Sequence, residues 1–415
     1  MSLQILTAKI PCQKCGEDAS VTNRKEVVCN ECFNMSMRGR LRKSLRADIY
    51  KINSKHGVHK VLLAFKGDVN SIVCLDMIMQ LVLEQINNHG KTGFQLLVLN
   101  IDERNGIEEK LQQVRSFYEQ KGTIINYKTV QVNSYLTGKS LKRIGIDKKF
   151  NILVKDESSH SMEDIINLIP NKSAVEDFKE VIYDQILLKQ AEIEGCGTIL
   201  YCNSMNKLSS SILANLIKGR GSNMNFKVND TEKQGIYIKN PLRELFDSEI
   251  DYYSEVNEIG QLKFQNNAVI SNINRNMTIK QITSRYLNQI EANGYASTIP
   301  TVVKITEKLV EPTKFKPIGN CKICDEVIYQ NPKTWLNKIT HNESAPLVDE
   351  IERDYAEQYL QAFPPIEDQL DVSNYTICYG CMVSMNGTES IVWPTERQRD
   401  QKVLEEFIID SDDDE

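Results

Sequence analysis

Eight of the eleven cysteines stand as Cys-x-x-Cys pairs: Cys12 and Cys15, Cys29 and Cys32, Cys321 and Cys324, Cys378 and Cys381. Each such turn presents two thiolates to one ion, and two turns complete a tetrahedral S4 shell suited to zinc. All four ligands in each set come from protein, so two structural zinc sites with no open coordination position are expected. The first set has a ribbon-like linker; the second is split by the long segment Asp325–Ile377. Free or redox-active thiol pairs are the competing account, and two pairs at each end make it the less economical one. Cys74, Cys196 and Cys202 fall in apolar surroundings and read as core thiols.

A second candidate is the turn Lys66-Gly67-Asp68-Val69-Asn70-Ser71. The apolar run Val61–Phe65 precedes it, and apolar residues at helical spacing follow from Ile72 to about Asn87. A strand, a tight turn and a helix form the arrangement in which helix N-terminal amides bind nucleotide phosphates. An intact ATP-cleaving loop of this kind reads SGGxDS, with glycines that let backbone amides approach the phosphates. Only Gly67 and Ser71 match. Asp68 puts a carboxylate where a phosphate would sit, and like charges repel. Lys66 restores one positive charge, which leaves weak anion binding open. The loop of Lys66, Gly67, Asp68, Asn70 and Ser71 is therefore read as a degenerate nucleotide site.

A third is the basic segment after Cys32: Arg38, Arg40, Arg42, Lys43 and Arg46. Arg38, Arg42 and Arg46 recur every four residues and share a helix face, opposite Leu41, Leu45 and Ile49. Two readings stand: a solvated face, or a contact to a nucleic-acid backbone behind a zinc ribbon.

Strands alternating with helices must position these groups. Apolar runs at Phe94–Ile101, Ile124–Val132, Phe150–Val154 and Gly197–Cys202 predict further strands, and Gly106–Gln120, Lys172–Glu194 and Leu208–Lys218 predict helices. The pattern means an α/β domain with a mostly parallel sheet. Asn223–Gly235 and Asp247–Asn276 read as loops and shorter helices. The expected organisation is a ribbon and basic helix over 1–50, an α/β domain over 51–311, a zinc module with an insertion over 312–400, and an acidic tail over 401–415. Within 415 residues the net charge of −6 argues against coating nucleic acid by bulk attraction, although the tail Asp410–Glu415 alone supplies five of the negative charges. No signal-like N-terminus and no run of the ~20 apolar residues needed to span a bilayer are read, so a soluble, cytoplasmic chain with no membrane partner is expected.

Four features in order resemble a known family. They are the ribbon running into Phe33 and Arg40-Leu41-Arg42, then the VLLAF strand with its altered loop, then Asn203 followed by Leu213–Gly221, then Asn240-Pro241-Leu242 followed by Glu249-Ile250. From Cys12 to Cys381 the chain is similar to the second-subunit family of eukaryotic cytoplasmic tRNA 2-thiolation proteins, divergent sisters of the pyrophosphate-loop tRNA thiolases. The resemblance implies a Rossmann-like sheet of the adenine nucleotide alpha hydrolase type. It implies a heteromeric complex that thiolates wobble uridine in cytoplasmic tRNA, with sulfur from the thiocarboxylate of a ubiquitin-related carrier. The catalytic partner would adenylate the uridine with ATP, while this chain would support tRNA binding and assembly.

The departures from the catalytic sisters are specific. Their GHNxDD-like segment reads here Tyr201-Cys202-Asn203-Ser204-Met205-Asn206, without the acidic pair. Their two sulfur-handling cysteines have no counterpart, because no cysteine lies between Cys74 and Cys196 or between Cys202 and Cys321. A non-catalytic subunit is therefore expected. The alternatives are an ATP-dependent tRNA-modifying enzyme active on its own and a zinc-ribbon nucleic-acid adaptor.

Overall fold

The computed structural model describes residues 3–7, 9–50, 59–102, 108–122, 125–146, 151–158, 160–169, 171–264, 277–310, 316–340, 349–362, 376–385 and 390–396. In chain order the first half holds β1 (Gln4–Ile5), β2 (Val21–Asn23), β3 (Glu26–Val28), α1 (Asn30–Tyr50), β4 (His59–Ala64), α2 (Val69–His89), β5 (Phe94–Asp102), α3 (Glu108–Gln120), β6 (Asn126–Gln131), β7 (Lys139–Ile146), β8 (Ile152–Asp156), α4 (Met162–Asn167) and α5 (Lys172–Glu194). The second half holds β9 (Thr198–Tyr201), α6 (Met205–Ile217), α7 (Met224–Val228), β10 (Thr231–Lys233), β11 (Ile236–Lys239), α8 (Asp247–Val256), α9 (Ile279–Ala292) and α10 (Thr298–Glu307). It ends with β12 (Gly319–Asn320), β13 (Val327–Ile328), α11 (Pro332–Thr340), α12 (Glu350–Ala362), α13 (Tyr379–Met385) and β14 (Ser390–Glu396).

The main sheet has the order β10-β11-β9-β4-β5-β6. β4 lies at its centre and pairs in parallel with both β5 and β9. Val61, Leu62 and Leu63 are fully buried, as a strand covered on both faces requires. The chain steps outward from β4 through β5 to β6, then returns to β9 on the other side of β4. The sheet order thus reverses between β4 and β9, where open α/β sheets bind ligands outside the strand C-termini. An antiparallel hairpin, β10–β11, closes one edge. Its two-residue turn, Gln234-Gly235, has φ of 53° and 78°, as a type I′ turn demands. The sequence had suggested only loops and short helices around it.

α2 is longer than the spacing predicted. Asp68 caps its start, and Gly90 ends it at φ 67°. By length and composition alone it could cross a bilayer, contrary to the expectation from sequence. Ile72, Val73, Leu75, Met77 and Ile78 are nevertheless 0–1 % exposed in the domain core.

The chain divides into two compact units, Met1–Val132 with Glu176–Lys314, and Asn133–Val175 with Phe315–Glu415. This differs from the expected boundaries in two ways. The N-terminal ribbon shares the first unit's core, with Phe33, Met37, Leu41 and Leu45 in one apolar cluster with α2. The Phe150–Val154 run is expected in the mostly parallel sheet. Its strand, β8, lies instead in an antiparallel sheet of order β14-β7-β8. There β14 pairs with β7 from Ser390 opposite Gly145 to Glu396 opposite Lys139. Ile144, Ile391, Val392 and Trp393 on β7 and β14 are buried. The acidic tail 401–415 lies outside the described residues, as does the insertion apart from 325–340, 349–362 and 376–377.

Candidate functional site

The Lys66–Ser71 turn sits at the sheet's switch point and holds its own carboxylate. Asp68 is the N-cap of α2: its Oδ1 accepts the Ser71 N–H at 3.0 Å, and the Ser71 hydroxyl donates to the Asp68 carbonyl at 2.9 Å. Its Oδ2 accepts from Lys207 Nζ at 2.5 Å. Lys207 is placed by the neighbouring helix. Ser204 caps α6 and accepts the Lys207 N–H at 3.2 Å, which fixes Lys207 in the first turn. Because β4 and β9 are adjacent, the helices that follow them start side by side, and the two first turns meet through Asp68 and Lys207. Burial by itself would raise the Asp68 pKa. The Lys207 charge and the Ser71 donors outweigh it and hold the carboxyl below its usual range.

Phe264 roofs the turn. Its N–H donates to the Gly67 carbonyl at 2.9 Å, and its ring meets Phe65 edge-on at 5.7 Å. Gly67 has φ 71°, and a Cβ there would lie 2.0 Å from Phe264 Cδ2, so only glycine fits. Lys66, the cation that sequence offered as counter-charge, is exposed, and Lys207 makes the pair instead. Asn70 is 6 % exposed, and its Nδ2 has no hydrogen-bond partner among the described residues. Sequence reading missed Lys207 and Phe264. A capping serine three residues before a lysine was the available signal for the first.

The three remaining thiols face inward. Cys74 lies fully buried on α2, and Cys196 is buried before β9. Cys202, half-buried after β9, donates from Sγ to the Ala64 carbonyl at 3.7 Å. The adjacent Cys74 thiol and burial push the Cys202 thiol well above its usual range. Burial also raises Cys196, against the charge of Lys60.

Both cysteine quartets are assembled. The Sγ atoms of Cys12, Cys15, Cys29 and Cys32 lie within 4.8 Å of one another, as do those of Cys321, Cys324, Cys378 and Cys381. Backbone N–H groups point at these sulfurs, from Lys14 to Cys12 at 3.4 Å and from Cys378 to Cys321 at 3.3 Å. Four converging sulfurs with amide donors form a donor set that could hold a metal ion tetrahedrally.

The basic helix is less free than its sequence implied. Arg38 lies 3.7 Å from Glu84, and Arg42 pairs with the same carboxylate. Arg40 reaches Glu249 Oε1 at 2.7 Å, beside Arg24 of the ribbon turn. Lys43 is exposed, and the Arg46 side chain lies outside the described ones. The face is partly neutralised by its own protein, because the cations stand over acidic residues of α2 and α8.

Residues 278–383 match the family model described as cytoplasmic tRNA 2-thiolation protein 2. Relatives bearing that name are 36% identical in Scheffersomyces stipitis, over 97% of this chain and 96% of the relative, and 37% identical in Lodderomyces elongisporus, over 99% of this chain and 100% of the relative. Among solved structures, the U34-tRNA thiolase NcsA of Methanococcus maripaludis, determined with its 4Fe–4S cluster, superposes with a TM-score of 0.53 at 18% identity, over 74% of this chain and 92% of that one. At that identity the likeness shows the α/β fold alone. The fold agrees with the near-full-length relatives: the chain belongs to the cytoplasmic tRNA 2-thiolation protein 2 family and has a role in tRNA thiolation.

Proposed function

We propose that this chain is the non-catalytic subunit of a cytoplasmic heteromeric complex that 2-thiolates wobble uridine in tRNA. Its partner is a pyrophosphate-loop thiolase subunit that binds ATP, and the sulfur comes from a thiocarboxylated ubiquitin-related carrier. The cysteine inventory carries this reading. Eight of eleven cysteines lie in the quartets; of the other three, Cys74 and Cys196 are buried and Cys202 is half-buried against the core. Sulfur relay needs an accessible thiolate, and burial together with raised pKa values works against one at Cys196 and Cys202.

The other groups fit a supporting role. Cys12, Cys15, Cys29 and Cys32 hold one structural zinc, and Cys321, Cys324, Cys378 and Cys381 hold another. Zinc there neutralises converging thiolates and fixes the turns that carry them. Arg38, Arg40, Arg42, Lys43 and Arg46 on and near the ribbon helix provide the tRNA backbone contacts. The Asp68–Lys207 pair and the Phe264 roof leave Lys66, Gly67, Asp68, Asn70 and Ser71 as scaffold.

The test is purification of the full chain from its native cell with bound partners identified by mass spectrometry. A pyrophosphate-loop thiolase is expected in the eluate, and no ATP turnover from the chain alone. ATP turnover by the isolated chain would overturn the reading.

A further inference from the structure

We infer that α12 is a docking helix, whose exposed stripe of Ile351, Tyr355 and Tyr359 fits an apolar groove rimmed by lysine or arginine on the thiolase partner. The inference rests on the heteromeric complex proposed above and adds the surface that holds it. The three residues recur every four positions along Glu350–Ala362, so they share one helix face. They are 66 %, 68 % and 57 % exposed. Of the described α12 side chains, Ala356 alone is half-buried and the rest are exposed. A helix of 13 residues is marginal in water, and packing of its apolar face is what ordinarily stabilises one. Here that face is turned to solvent. Scattered exposed apolar residues are ordinary, but an isoleucine and two tyrosines in line have the spacing and composition of the anchors by which a helix enters a groove.

Charge decides the occupant. At 3.6 residues per turn, Glu352 borders the stripe on one side and Asp354 on the other. Glu350 and Glu357 add two more carboxylates, against the single cation Arg353. The first-turn acids Glu350 and Glu352 also suit the helix dipole; Asp354 and Glu357 lie past that turn and gain little from it. This acidic border repels nucleic-acid phosphates. It equally repels a second α12 and the chain's own acidic stretch Asp410–Glu415. A cationic rim is what it attracts, and a subunit that binds ATP and tRNA must carry cationic surface. The segment that bears α12 is also pinned at both ends, because Cys324 and Cys378 bring their sulfurs to 3.6 Å in one quartet.

The experiment is recovery of the thiolase subunit with the tagged full chain from its native cell, after RNase treatment, quantified by mass spectrometry. It compares the wild type with a triple variant, Ile351→Ala, Tyr355→Ala and Tyr359→Ala together. A double variant, Glu352→Lys with Asp354→Lys, tests the border, and Arg353→Ala on the opposite side is the control. The triple variant should recover at least roughly tenfold less thiolase, as loss of a hot-spot cluster does. The charge reversal should also lower recovery, and Arg353→Ala should leave it unchanged. A folded triple variant that recovers as much thiolase as the wild type overturns the inference, as does undiminished recovery by the charge reversal. Failure of the triple variant to fold overturns it too, because the face would then be packed within the chain. Loss of thiolase from the wild type on RNase treatment alone would make RNA the bridge and also overturn it. A wild type that recovers no thiolase even without RNase overturns the complex itself and this inference with it.

Discussion

Glu249 and Arg24 form a two-point ion pair across 225 residues of chain: Arg24 Nε and Nη2 donate to Glu249 Oε1 and Oε2, each at 3.0 Å. Arg24 is the left-handed turn residue of the ribbon hairpin, φ 59°, and Glu249 lies in the first turn of α8, 1 % exposed. Arg40 of α1 shares the carboxylate at 2.7 Å. One buried carboxylate thus ties the ribbon turn and the basic helix to α8. Removing Glu249 takes the carboxylate from both guanidinium groups and leaves Arg24 only the Glu244 carbonyl and the Phe246 ring. Glu249→Ala is expected to destabilise the chain by about 2 kcal/mol, less than for a fully buried pair because Arg24 is more than a third exposed. Urea unfolding measures it.

The same pair sets a pH dependence. Burial alone would raise the Glu249 pKa, but hydrogen bonding from Arg24 and the charges of Arg40 and Arg24 bring it below its usual value. An unfolded glutamate titrates near ~4.3. The contribution of Glu249 is therefore complete above that value and is lost as pH falls through the depressed folded pKa. Thermal melts between pH 7 and pH 3 should show Glu249→Gln losing less stability on acidification than the wild type does. Parallel losses would show that the pair does not control this window.

The quartets predict a metal count. Elemental analysis of the intact chain should give about two zinc ions, falling to about one in Cys12→Ser or Cys378→Ser. Iron in place of zinc, or no metal, would contradict the assignment. Chelation should lower the melting temperature, since the first ion would clamp the ribbon's two turns and the second would join Cys324 to Cys378 across 54 residues.

Gly67 and Phe264 predict a packing conflict. Gly67→Ala places a Cβ 2.0 Å from the Phe264 ring at φ 71° and is expected to cost about 2 kcal/mol. Phe264→Ala added to it should recover the steric part and leave the backbone strain. Additive losses in the double variant would mean that the ring does not press on the turn.

On the ribbon helix, Glu84 holds Arg38 and Arg42, so under the proposed tRNA contact it would compete with the RNA backbone for them. Glu84→Gln should therefore tighten tRNA binding in fluorescence anisotropy. Lys43→Glu should weaken it and lower the salt slope by roughly one. Unchanged affinity in both variants would make this face an ordinary solvated surface.

Local chemistry was legible in the sequence, and long-range pairing was not. The Val61–Phe65 strand, the degenerate turn and the α2 spacing are contiguous, and their periodicities survive folding. The cysteine quartets were legible because Cys-x-x-Cys spacing is dictated by the metal shell. Lys207 reaches Asp68 from 139 residues away, and no periodicity encodes that approach; it follows from β4 and β9 lying side by side. The pairing of β14 with β7 joins Ser390–Glu396 to Lys139–Ile146. Such non-local antiparallel register is set by side-chain burial on both strands, and the charged pattern of β7 concealed it. The ion pairs of the basic face were hidden for the same reason, since its carboxylate partners on α2 and α8 are distant in sequence.

The central claim is that this chain supports thiolation without handling sulfur. Its most direct measurement is the 2-thiouridine content of tRNA from cells lacking the protein and complemented with the full chain carrying Cys74→Ala, Cys196→Ala and Cys202→Ala together. Thiolation near the wild-type level is the expected result, with none in the uncomplemented deletion. A folded, partner-bound triple variant that leaves tRNA as unthiolated as the deletion does would contradict it.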